Sequence, residues 1–192
     1  MGKTTLTAAA VTEQLMIQFW QNGYAQTSIA DLVTASQLSR SQFYRQYRNK
    51  SVALRRSLQQ YQLVLDELLT QLIQRDQALG TPLAALLADC LLLPAQSDRW
   101  PSGCLLVNTM AEIGGHDTLI ANQTQAIYAA LQTRLVGLLS PVASQLPATV
   151  AETATSLMQV RSGLQLLAKQ AVNVLQLKQQ AMVSVKLILQ EG

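Results

Sequence analysis

Three observations together predict an all-α fold. Leu, Ala, Val and Gln dominate the composition, with aromatic residues at 5% and charged residues at 13%, a helix-forming balance with little strand signal. Apolar residues recur at alternating steps of three and four along most of the chain. Stop and start signals break that pattern at Gly23, Gly80-Thr81-Pro82, Gly114-Gly115, Pro141 and Asn173. The expectation is about nine helices and no sheet, in a chain of 192 residues that can bury a real core.

The first helix is expected from Thr5 to Asn22, with Val11, Leu15, Phe19 and Trp20 on its apolar side and Gly23 as its stop. Two short helices follow almost back to back. Ser28 is a good N-cap, and Ile29, Leu32 and Val33 give one apolar face to a helix ending near Ala35. Ser36-Gln37-Leu38 leaves room only for a tight turn. Ser39 then opens the next helix, with Gln42 three residues on to complete a capping box. Two helices joined in this way make a helix-turn-helix, whose second helix fits the major groove of DNA. That helix offers Arg40, Gln42, Tyr44 and Arg45. Arginine pairs bidentately with guanine and glutamine with adenine, each contact discriminating by about 1–3 kcal/mol. Tyr44 and Lys50 read as phosphate contacts that set register. Thr27, Ser28 and Ser39 stand where hydroxyls at helix starts can meet phosphate. Phe43 and Tyr47 read as core.

From Asn49 a long helix runs to Asp76 or beyond, with Leu54, Leu58, Tyr61, Leu65, Leu68 and Leu72 as its inner face. At that length it spans about 40 Å, enough to leave the head and enter a second body. Thr81 is expected to cap the next helix with Pro82 at its first position, and Leu83 to Leu93 is apolar nearly all round. A polar loop, Pro94 to Ser102, carries Arg99 and Trp100. Helix resumes from Gly103 to Ile113, and Asp117 caps a longer one that ends before Pro141. Thr149 with Glu152 opens a helix to Gln170, and Asn173 with Gln176 opens the last, to Leu189. Gly163, inside a helix, implies a close helix crossing.

Charge is uneven. Residues 1–60 hold seven bases against two acids, a net of +5 within a total of +3, so the remainder is slightly acidic. A basic N-terminal third indicates that this part meets a polyanion. Cys90 and Cys104 form neither a disulfide framework nor metal-ligand spacing, which fits a reducing cytoplasm. No apolar run of about 18 residues is expected to span a bilayer, and no signal-peptide order is read at the N-terminus. Gly2-Lys3-Thr4-Thr5 lacks the upstream glycine and strand of a phosphate loop, and Leu6 breaks a myristoylation pattern.

The stretch from Phe19 to Lys50 resembles the TetR family of bacterial repressors. The residues that carry the resemblance are Phe19, Gly23-Tyr24, Thr27-Ser28-Ile29, Asp31-Leu32, Ala35, Leu38-Ser39-Arg40, Phe43-Tyr44, Tyr47 and Asn49-Lys50. More weakly, Gly103 to Thr109 with Glu112, and Gly163 to Leu167, look like one C-terminal subgroup. The resemblance implies a DNA-binding domain over 1–48 and a ligand-binding and dimerisation domain over 49–192. It also implies a homodimer through the two C-terminal helices, about 149–189, that reads a palindromic operator and is released by a small molecule. A mostly hydrophobic or uncharged effector is expected from the apolar body, with Trp100, Cys104, Asn108, Glu112 and His116 as ligand candidates. Electrophile or oxidant sensing through Cys104, which follows Gly103 at a helix start, is an alternative sensing mode. No cofactor, metal or catalytic residue is expected.

Two positions depart from the family, which places glycine where Gln37 and Ser41 stand. Gln37 would then occupy a left-handed backbone, at about 1 kcal/mol for a non-glycine residue. Two other function classes compete. One is a dimeric scaffold whose head no longer binds DNA. The other is a thiol-dependent enzyme using Cys104, His116 and Glu112, which lacks an oxyanion signature beside them.

Overall fold

The computed structural model describes residues 7–95, 99–113, 115–170 and 173–190, and among these the chain forms nine α-helices and no strand. They are α1 (Ala8–Gln26), α2 (Ile29–Ser36), α3 (Arg40–Tyr47), α4 (Lys50–Leu79), α5 (Leu83–Leu92), α6 (Leu105–Ile113), α7 (Thr118–Leu139), α8 (Val150–Lys169) and α9 (Val174–Leu189). A 3-10 turn, Ser140–Gln145, follows α7.

Thr7 caps α1 by accepting a hydrogen bond from Ala10 N at 3.2 Å. Val11, Leu15, Met16, Phe19 and Trp20 form its buried side. The expected stop at Gly23 is present as a break in helical geometry, with φ of 77°, after which the chain makes one more turn through Gln26. Ser28 and Asp31 cap α2 reciprocally, and Ser39 and Gln42 do the same for α3. Between them Gln37 takes the left-handed conformation expected of it, with φ of 56°.

Asn49 caps α4, whose 30 residues span about 45 Å. Leu54, Leu58, Tyr61, Leu65 and Leu72 face inward as expected, while Leu69 is buried and Leu68 only half so. On the body side α4 packs against α5 and α7, and Leu69 faces the space among them. Thr81 does not cap α5: Pro82 occupies the N-cap with no side-chain cap bond. Pro82 has an extended ψ of 144° and its carbonyl accepts the first helical bond, from Leu86 N at 3.1 Å, so Thr81 stands one residue too early to cap. The last helix begins at Asn173, whose side chain accepts from Leu175 N at 2.8 Å.

Residues 118–145 run against the expectation that no helix could span a bilayer. By length and composition this segment passes, with a mean hydropathy of 1.2 over its best window. Its behaviour here is that of a packed helix. Ile120, Ile127, Leu131, Leu135 and Leu139 are buried against the bundle. Gln123 donates to Arg55 O at 2.8 Å and Arg134 to Thr70 Oγ1 at 3.0 Å. Gly163 also departs from expectation. A Cβ there would meet nothing within 4 Å, so no crossing inside the chain requires it.

Candidate nucleic-acid interface and its coupling to the body

Helix α3 has two unlike sides. Phe43 and Tyr47 are fully buried, their rings tilted by 31° with centroids 5.3 Å apart. Arg40, Ser41, Tyr44 and Arg45 are exposed, and the Arg40 guanidinium lies 5.9 Å from the Tyr44 ring centroid. Gln42 is exposed as well, but its Oε1 accepts from Ser39 N at 2.9 Å, leaving its amide nitrogen to face outward. The aromatic pair anchors the helix, and the polar side is therefore presented rather than packed.

The other head candidates divide. Ser28 is exposed at the start of α2, where its hydroxyl is shared with Asp31 at 2.7 Å. That hydrogen bond, with the backbone one from Ser28, holds the Asp31 carboxyl below its ordinary pKa. Thr27 is a correction. It is 1% exposed, and its hydroxyl donates to Gly23 O at 2.6 Å, which withdraws it from the surface the others share. Lys50 is half-buried, its amine 4.3 Å from the Tyr24 ring centroid and 3.4 Å from Ala25 O. Burial lowers the pKa of that amine, against the pull of Glu112 and Asp31. Arg48, which the sequence reading counted only as charge, is exposed at the end of α3 with φ of 59°. Nothing in a pattern of helical caps signals such a position.

The body grips the head at the end of α1. Lys169 on α8 donates to Trp20 O at 2.7 Å and Gln21 O at 2.8 Å, the carbonyls that the break at Gly23 leaves open. Glu112 on α6 accepts from Ala25 N at 2.9 Å, just past the break. Gly23 itself is required: a Cβ there would collide with the Glu112 carboxylate, and its φ is positive. Beside this clasp Ser51 on α4 donates to Asp117 Oδ2 at 2.8 Å, and Arg99 pairs with Glu13 at 3.3 Å. The long helix is thus not the only connection between head and body.

The five ligand candidates do not converge on a pocket. Trp100 is buried, stacked on Trp20 at 6.0 Å between centroids. Glu112 is occupied by the head, Asn108 lines the crevice beside it, and His116 is exposed. Cys104 is fully buried: Tyr61 donates to its Sγ at 3.0 Å and Arg161 at 3.7 Å. Helix starts favour thiol reactivity only where a reagent can reach the sulfur, and here the bundle encloses it. Cys90 is core too, its thiol pushed up to about 12 by burial. Among the described residues no hydrogen bond joins Cys104, Glu112 and His116 to one another. Among the described residues no three His, Cys, Asp or Glu side chains are grouped as a metal would need.

A further cavity lies between α4, α5, α7 and α8. It is lined by Leu65, Leu69, Leu135 and Met158 together with Arg134 and Arg161, residues the sequence reading did not select. Their apolar neighbours read as ordinary core, and only the packing shows that they enclose a space.

Residues 12–52 match a family model described as bacterial regulatory proteins, tetR family. Over 127 residues the chain is 29% identical to the HTH-type transcriptional repressor ComR of Escherichia coli strain K12, a match covering 62% of this chain and 57% of that repressor's length. SCO4454, a TetR-family transcriptional regulator from Streptomyces coelicolor, superposes with a TM-score of 0.78 at 16% identity, over 100% of this chain and 96% of that one. A cysteine mutant of the TetR family regulator CifR, solved with 26 bp of double-strand operator DNA, superposes with a TM-score of 0.74 at 20% identity over 99% of both chains.

Proposed function

We propose that the chain is a member of the TetR family of bacterial regulatory proteins, whose model matches residues 12–52, and acts as a ligand-responsive transcriptional repressor of the cytoplasm. In this reading it binds a palindromic operator as a homodimer and is released by a small molecule held in its body. The observation that carries the reading is the two-sided recognition helix. Phe43 and Tyr47 fix it to the core while Arg40, Gln42, Tyr44 and Arg45 face solvent together. A helix so presented fits one major groove, and a second copy about 34–36 Å away fits the next.

Dimerisation draws support from the last two helices. Leu166 and Leu167 on α8, and Val174, Leu175, Val183 and Leu187 on α9, are exposed, the last of them at 73%. Apolar side chains grouped on adjacent helices mark an association surface. Gly163 precedes Leu166 and Leu167 by three and four residues, so it shares their face, and its missing side chain lets a partner helix approach. The proposed boundary between reading head and body falls near Arg48, where α3 ends.

Release follows from the connections. Helix α4 runs from the head to the cavity, where Leu65 and Leu69 form part of the wall. A ligand that displaces α4 there also shifts Lys50 and Ser51 at its other end, and with them the head. The test is a gel-shift titration with DNA flanking the protein's own gene, paired with sedimentation. Specific binding by a dimer is the expected result. Leu175→Glu with Leu187→Glu should give a folded monomer with much weaker operator binding. A folded wild-type dimer with no preference over random DNA would leave the scaffold reading in its place.

A further inference from the structure

The sequence suggests a mostly hydrophobic or uncharged effector, and the cavity adds two arginines to an otherwise apolar lining. Arg161 is 3% exposed and reaches the cavity from α8, while Arg134 reaches it from α7. Arg161 donates to Leu93 O at 2.8 Å and to Cys104 Sγ at 3.7 Å, and Arg134 to Thr70 Oγ1 at 3.0 Å. A guanidinium carries five N–H donors, so these bonds leave donors free on both. Among the described residues no carboxylate lies within ion-pair distance of either. The acids nearest the cavity, Asp76 and Asp89, are paired with Arg75 instead. Arg161 and Arg134 therefore bring two cations without a carboxylate partner to one wall, and the remainder of the lining is leucine, methionine and Cys90.

We propose that this cavity binds a small amphiphilic organic anion, a monocarboxylate with an apolar tail, whose carboxylate is held by Arg161 and Arg134. Planar guanidinium forks match a carboxylate's two oxygens, which an ammonium does not. Leu65, Leu69, Leu135 and Met158 take the tail. As it stands the space is small, with a volume of about 10 Å³, room for about one water. The tail must therefore part α4 from α7, and the anion's binding energy is what does so. The effect of this on DNA rests on the regulator reading above; the binding itself does not.

The test uses the full-length protein with hexanoate, octanoate and benzoate, each against its neutral counterpart hexanol, octanol or benzyl alcohol. Melting temperature and titration calorimetry are the readouts. At least one acid should raise the melting temperature while its alcohol does not. Arg134→Gln and Arg161→Gln should each weaken that acid by about tenfold or more, with helix content unchanged by circular dichroism. Should Arg161→Gln fail to fold, the half-buried Arg134→Gln and the charge-keeping Arg161→Lys carry the comparison, since lysine lacks the fork. Equal binding of acid and alcohol, full acid affinity in the folded variants, or no response to any acid overturns the proposal. The two readings fail separately in a parallel gel shift. Acid binding by a protein that ignores operator DNA defeats only the regulator, whereas operator release by an alcohol, unchanged in Arg134→Gln, defeats only the anion.

Discussion

Arg40 and Lys50 are both basic and both adjacent to the recognition helix, yet their surroundings give them different work. Arg40 is exposed, lying along Tyr44, and free to meet a base edge. Lys50 is half-buried against Tyr24 and reaches the carbonyl of Ala25. Arg40→Ala should relax base preference at one position per half-site, by about 1–3 kcal/mol against the wrong base. Lys50→Ala should weaken all DNA sequences alike and reduce the slope of affinity against salt. Competition binding to a randomised operator at several salt concentrations separates the two. If neither substitution changes binding, α3 is not the reading helix. Residue types were legible here and their environments only in part: Thr27 carries the right hydroxyl, but folding commits it to Gly23.

At the scale of single elements, caps decide where helices begin, and these were the most readable features of the chain. Ser28, Ser39, Asn49, Asp117, Thr149 and Asn173 all cap as their local sequence indicates, because a cap needs only its own next three residues. Ser39→Ala should destabilise the protein by about 1 kcal/mol and weaken operator binding, as seen in urea midpoints and gel shifts. Three caps are also acid-sensitive. Hydrogen bonds from Ser28 to Asp31, from Ser51 to Asp117 and from Thr149 to Glu152 hold these carboxyls below their ordinary pKa. Their stabilisation is complete above the unfolded carboxyl range near about 4 and is lost as pH falls through the depressed folded values. Helicity by circular dichroism should therefore hold at neutral pH and fall only below about 4; a loss beginning near neutrality would place the acid-sensitive groups elsewhere. Thr81 is the exception among caps, since the helix starts one residue later, with Pro82 in the cap position.

The whole molecule is organised by what reaches across it. Glu112 and Lys169 hold the two sides of the break at Gly23, with Glu112 standing 87 positions along the chain from its backbone partner. Gly23→Ala should cost about 1–2 kcal/mol for the left-handed backbone alone, and more because the added methyl displaces Glu112. Urea unfolding measures the loss, and faster exchange of the Ala25 amide would show that the clasp itself has opened. Retained amide protection would mean that Glu112 finds another route to the head.

The order of the helices, the turn between α2 and α3 and the break at Gly23 were all determined by local sequence. Each depends on the conformational preferences of a few neighbouring residues, which travel with the chain wherever it goes. The clasp, the cavity and the isolation of Arg161 were decided only by tertiary structure. They join residues scores of positions apart, and an arginine on a helix face carries no mark of whether folding will bring it an acid.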